Sequence, residues 1–205
     1  MILVFAFAIF AILSVLALAW SMRKRSFFPG LGDAFFKEDF MVIKHYPFPG
    51  TQGKIRPQDL YFVDLTAQPP MICINGDLMF VSAEHLEKLR NFVYKNGVPV
   101  REGGVSNWEC LLSPFLDTEL SQKEQDHLDG ILKKRGFAGE EIASWRQRLA
   151  PVMRAYNIDS GLWDWTSLGF SDVLSAMHAT LSSKEFKAFY KEALAIELKG
   201  RPALQ

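Results

Sequence analysis

Residues 71–81, MICINGDLMFV, carry the plainest structural signal in the chain. Two apolar, β-favouring runs, Met71–Ile74 and Leu78–Val81, flank Asn75-Gly76, and Asn-Gly supplies the positive φ angles that a tight hairpin turn demands. The stretch predicts a β-hairpin. Upstream, Phe40–Ile43 and Tyr61–Val63 are further short β-favouring runs, separated by the turn formers Pro47, Pro49, Gly50 and Gly53. Downstream, Ser82 is placed to cap a helix with Leu86, Leu89, Phe92 and Val93 on one face. Asn96-Gly97 should terminate it, and Val98–Val100 should form a short strand. This β-β-α-β order predicts a small, antiparallel-rich sheet covered by a helix.

From Ser106 onward the periodicity turns helical. Ser121 and Glu124 have capping-box spacing, in which each side chain satisfies a backbone donor of the other residue. The helix they open should close on Lys133-Lys134-Arg135-Gly136, where cations complement the negative end of the helix dipole. Ile142, Trp145, Leu149, Val152, Met153 and Tyr156 recur at helical spacing, and Pro151 within them predicts a kink near Gln147. Two more helices are expected over about 171–181 and 184–198, the last stopped by Gly200 and Pro202. The expected fold class is α+β: an N-terminal transmembrane helix, the small sheet, then a mainly helical C-terminal half. No repeat or low-complexity tract is visible.

The transmembrane expectation rests on Ile2–Trp20, ILVFAFAIFAILSVLALAW, which contains no charged side chain. A helix of that length is about 28 Å long, against about 30 Å for the hydrocarbon core of a bilayer. Lipid offers the backbone no hydrogen-bond partners, so a spanning segment must satisfy them internally as a helix. Ala17-Leu18-Ala19 imitates a signal-peptide cleavage site, but the positive charge follows the apolar run instead of preceding it. Arg23, Lys24 and Arg25 mark that side as cytoplasmic, and Trp20 stands at the interface. The expected organisation is a transmembrane anchor over residues 1–22, a membrane-proximal linker over 23–38 holding Phe27 and Phe28, and one cytoplasmic α+β domain over 39–205. The N-terminus then lies outside, and residues 2–20 take the lipid bilayer as partner.

The chain carries 23 basic and 23 acidic side chains, so its formal charge is zero. A neutral domain has no general attraction for nucleic acid, and that class of partner is set aside. Cys73 and Cys110 read as reduced, buried small hydrophobes.

Three places could carry chemistry. Glu124, Asp126, His127 and Asp129 gather metal-capable side chains on one helix. Only Glu124 and His127 share a face, however, and acidic residues in a first turn are ordinary dipole partners. Cys110 precedes Leu111-Leu112, which suggests an apolar core face; as a nucleophile it would need an imidazole, for which His127 and His178 are the candidates. Trp163, Trp165 and Phe170 form the densest aromatic segment after the anchor, suited either to a helix seam or to contacting a partner. Arg146, Arg148 and Arg154 with Lys133–Arg135 could make a basic stripe facing anionic lipid, which Glu140 and Glu141 would weaken. No glycine-rich phosphate loop, Cys-x-x-Cys, Gly-x-Ser-x-Gly or His-Glu-x-x-His is present.

These readings lead to a membrane-anchored protein-interaction module: a regulator, assembly factor or protective inhibitor that contacts another protein, with Trp163, Trp165 and Phe170 as the partner-binding residues. No catalytic residue, metal or cofactor is assigned. The alternative is a membrane-tethered hydrolase using His127 with nearby carboxylates, or Cys110 with a histidine, converging in a pocket.

Overall fold

The structure, a computed structural model, describes residues 29–101, 104–116, 120–160 and 167–200. The expected anchor over 1–22 and its Arg23–Arg25 flank lie outside the described residues, as do Trp163 and Trp165. Among the described residues no helix is long and apolar enough to cross a membrane.

Strands come first and helices second, in an α+β arrangement. The strands before the first helix are β1 (Asp33–Phe36), β2 (Met41–Lys44), β3 (Gly53–Ile55), β4 (Leu60–Asp64), β5 (Met71–Ile74) and β6 (Asp77–Phe80). Then come α1 (Leu86–Lys95) and β7 (Val100–Arg101). The helical half comprises α2 (Asn107–Leu112), α3 (Gln122–Lys134), α4 (Gly139–Ser160), α5 (Phe170–Thr180) and α6 (Ser183–Leu198).

The hairpin forms as its turn chemistry requires: Asn75 and Gly76 take φ of 51° and 85°, and Cys73 lies opposite Leu78. β4, β5 and β6 run antiparallel. After the excursion through α1, β7 returns beside β4 in the parallel sense, Val63 opposite Val100. A second sheet, β1-β2-β3, is an antiparallel meander with Ala34 opposite Ile43 and Met41 opposite Ile55.

β1 corrects the expected linker over 23–38, because residues 33–36 belong to a sheet. Ala34 is buried and Phe35 exposed, the alternation of a strand with one face on the core. Ser82 also departs from expectation. Its hydroxyl makes no cap; its carbonyl accepts the His85 N–H at 2.9 Å, and Ala83–His85 form a tight 3-10 turn before α1 begins. The far end of α1 closes as expected. Val98 N–H donates to the Val93 carbonyl at 3.0 Å and Gly97 N–H to the Tyr94 carbonyl at 3.4 Å, a pairing that satisfies the last turn.

Both sheets and the helices share one cluster of buried side chains. Trp108 lies wholly inside it, edge-on to Trp145 at 5.7 Å and stacked on Phe170 at 6.4 Å. Its indole N–H donates to the Ala193 carbonyl at 3.0 Å, so the ring's polar atom is satisfied where it is buried. Two phenols cross-link the layers: Phe80 N–H donates to Tyr46 Oη at 2.9 Å, and Tyr190 Oη donates to the Leu78 carbonyl at 3.2 Å. Burial pushes both phenol pKa values up.

The end of α6 is fastened to the start of α2, which in turn is tied to Arg135 at the end of α3. Buried Asn107 donates through Nδ2 to the carbonyls of Ile196 (2.7 Å) and Lys199 (2.9 Å), and its Oδ1 accepts from Arg135 at 2.8 Å. Gly200 follows at φ 62°, and a Cβ there would stand 2.4 Å from the Arg135 carbonyl oxygen, so only glycine fits.

Candidate functional site

The acidic cluster on α3 forms around its capping box. Ser121 N–H donates to Glu124 Oε2 at 2.8 Å and Ser121 Oγ to the same oxygen at 2.7 Å. These bonds hold the Glu124 carboxyl below its ordinary pKa. Asp126 accepts from Gln122 at 2.8 Å. Asp129 takes both terminal nitrogens of Arg146, at 2.6 and 3.2 Å. Partial burial works against the Asp129 charge, but the adjoining guanidinium outweighs it and holds the carboxyl low. Each carboxylate thus serves a structural partner, and His127 stands exposed on the same helix. Among the described residues there is no group of three or more His, Cys, Asp or Glu side chains that could hold a metal ion.

Arg146 also donates to the carbonyls of Cys110 (3.0 Å) and Leu111 (3.2 Å), which removes it from the expected lipid-facing stripe. Arg148 pairs with Glu192 and covers the ring of Trp145, and Arg135 turns inward to Asn107. These contacts engage three of the six cations of the expected stripe, while Lys133, Lys134 and Arg154 stand exposed.

Cys110 is fully buried on α2, and burial above all pushes its thiol up to about 11. At neutral pH it is a thiol, without the thiolate a nucleophile requires. Cys73 is likewise buried and unbridged. Of the aromatic trio, Phe170 is the described member, and it is part of the core: 4% exposed, stacked on Trp108 and edge-on to Phe80 at 5.6 Å. Partner contact through that segment would fall to Trp163 and Trp165.

Where the sheet meets the helices lies a cavity of about 60 Å³, lined in part by Asp64, Ser106, Glu109, Phe170 and Glu197. Asp64 Oδ1 already accepts from the Thr66 N–H, the Thr66 hydroxyl and the Ala67 N–H, and Glu109 accepts the Ser106 N–H at 2.8 Å. The space suits a few waters, well below the 300 Å³ or so at which ligand pockets begin. Nearby, Asp172 accepts from Gly169 N–H at 2.7 Å and Tyr156 Oη at 2.9 Å, tying α4 to the start of α5. Burial pushes the Asp172 carboxyl up.

The roomier feature is an open groove of about 450 Å³ between the end of β1 and α1. Phe36, Lys37 and Glu38 form one wall; Lys88, Asn91, Phe92 and Lys95 form the other. The helical wall is a single face, because its members stand three and four residues apart. Phe36 and Phe92 meet edge-on at 6.0 Å along the floor. Lys95 pairs with Glu38 at 3.1 Å, and Asn96 Nδ2 donates to the Glu38 carbonyl at 3.0 Å, which fixes the two walls together. Lys37 and Lys88 are exposed, and among the described residues neither has an ion pair. Phe35, 52% exposed with Lys44 Nζ 5.7 Å from its ring centre, lies on the opposite face of β1 from Phe36, outside the groove. Sequence reasoning missed the groove. The helical spacing of Lys88, Asn91 and Lys95 was visible, but nothing in the sequence brings residues 36–38 against them.

Comparison of the chain with protein-family models, with curated proteins and with solved structures gives no match in any of the three.

Proposed function

We propose that this protein is a membrane-anchored interaction module: residues 2–20 span the bilayer, and the α+β domain binds another protein at the cytoplasmic face as a regulator, assembly factor or protective inhibitor. The anchor half of the reading is supported by the uncharged run Ile2–Trp20 and the cations Arg23, Lys24 and Arg25 behind it. The observation that carries the binding half is the β1–α1 groove, an apolar floor under Lys37 and Lys88, neither of which has an ion pair among the described residues. A buried aromatic centre with a polar rim is the usual makeup of a protein-docking surface. Exposed Tyr61 and Tyr94 add aromatic surface, and Trp163 and Trp165 belong to the same reading as further contacts.

Two experiments test it. The full chain expressed in its native membranes should stay with the bilayer through an alkaline wash, and its C-terminal part should be cleaved by protease only from the cytoplasmic side. Release into the wash, or cleavage from the opposite side, would remove the anchor or its orientation. Crosslinking in those membranes should then give a discrete heterologous protein adduct, reduced by Trp163→Ala with Trp165→Ala or by charge reversal in the groove. An intact fold with no protein adduct at all would end the interaction reading.

A further inference from the structure

We propose that the groove between β1 and α1 receives an extended acidic segment of a partner protein, with one apolar side chain resting on Phe36 and Phe92 and carboxylates reaching Lys37 and Lys88. This rests on the interaction-module reading and names the surface and the chemistry of its ligand.

Charge complementarity selects the occupant. Three lysines line the groove against one carboxylate, and that carboxylate, Glu38, is engaged by Lys95. Lys37 and Lys88 remain as uncompensated cations over a floor that is apolar. A segment with carboxylates on either side of an aromatic or aliphatic residue meets both requirements at once. Strand geometry agrees: residues two apart in an extended chain point to the same side about 6.6 Å apart, so alternate side chains can enter the groove while the others stay in water. β1 is the edge strand of its sheet, with β2 as its one neighbour there; just beyond it the Lys37 N–H is bonded to the Phe40 carbonyl and the Glu38 carbonyl to Asn96, so the occupant is held through side chains.

A flat anionic lipid surface would use the same lysines but fits the shape less well. Phe92 lies at the bottom of a concavity, 4% exposed, where a planar surface cannot touch it. Glu38 stands 87% exposed on the rim, where a sheet of anionic headgroups would meet it directly.

The test uses the full chain in uncharged detergent micelles and two fluorescent pentapeptides, Asp-Glu-Phe-Asp-Glu and its neutral counterpart Asn-Gln-Phe-Asn-Gln, read by anisotropy. The acidic peptide should bind at least about tenfold more tightly, and the preference should fall as salt rises from about 0.15 M to 0.5 M. K37E and K88E should each erase the preference. K184E, at an exposed position on α6, should leave it intact. Equal binding of the two peptides, or a preference unchanged by both K37E and K88E, would overturn the assignment. Displacement of the acidic peptide by micelles doped with phosphatidylserine would also overturn it, giving the groove to lipid headgroups. Failure here is separable from failure of the broader reading: a protein adduct in native membranes that K37E and K88E leave untouched removes the groove alone.

Discussion

The acidic cluster on α3 and the lysine groove between β1 and α1 are two charge patterns that behave oppositely. Glu124, Asp126 and Asp129 gather metal-capable side chains on one helix, and each carboxylate is bound to a capping serine, a glutamine or an arginine. Lys37 and Lys88 belong to no motif in the sequence, yet they stand over an apolar floor with no ion pair among the described residues. Residue type alone does not mark a site. What marks one is a polar group that the fold leaves unsatisfied, because a group already paired has little to gain from a ligand.

The sharpest way to break this contrast is Arg146→Ala. It would leave Asp129 without its guanidinium partner, take the arginine's hydrogen bond from the Leu111 carbonyl and leave the Cys110 carbonyl with the Ser113 hydroxyl, in a region where the Arg146 and Asp129 side chains are 19% and 27% exposed. Urea unfolding should show a loss of about 2–4 kcal/mol. A loss under about 0.5 kcal/mol would mean the cluster is less engaged than its geometry indicates.

Thiol chemistry tests the same helical half. Native Cys110 should react with a disulfide reagent at pH 8 about a hundredfold or more slowly than the unfolded chain, since burial and a raised pKa both withhold thiolate. Fast modification of the native protein would reopen a nucleophilic role.

Acid dependence sharpens the comparison further. The Asp129 pKa is lowered in the folded state, so the stability it contributes is present above its ordinary value of 3.8 and is lost as pH falls through the depressed folded value. Unfolding free energy measured between about pH 5 and pH 2 should fall more steeply in the wild type than in Asp129→Asn. Parallel curves would contradict the Arg146 pairing.

Ser121→Ala removes the cap and should cost about 1 kcal/mol in the same unfolding assay. At the small end, Lys37→Ala and Lys88→Ala should change stability by no more than about 0.5 kcal/mol, because neither side chain has an ion pair among the described residues. A large effect there would show that the groove lysines are structural after all.

Elements built by local chemistry were legible in the sequence. Asn75-Gly76 set its hairpin, and the Ser121–Glu124 box set the start of α3. Ser171–Leu181 and Lys184–Leu198 were read within a residue of α5 and α6, because helical periodicity and cap spacing are properties of neighbouring residues. What depends on distant partners was not legible. β1 lay hidden in a stretch whose Pro29, Gly30 and Gly32 read as linker, since it becomes a strand only by pairing with β2. β7 runs parallel to β4 across nearly forty residues, a register no local pattern encodes. Ser82 had the right chemistry for a cap, but the chain makes a 3-10 turn there and its hydroxyl does not engage. The groove was least legible, because the Glu38–Lys95 pair that joins its walls spans 57 positions.

The most direct test places a photoreactive benzophenone side chain at Asn91, in the groove wall, and separately at Gln122, at the start of α3, in full-length protein in its native membranes. The account predicts a discrete protein adduct from Asn91→p-benzoylphenylalanine that disappears when K37E and K88E are added, and none from Gln122→p-benzoylphenylalanine. An adduct from the α3 position with nothing but lipid or water products from the groove would contradict it.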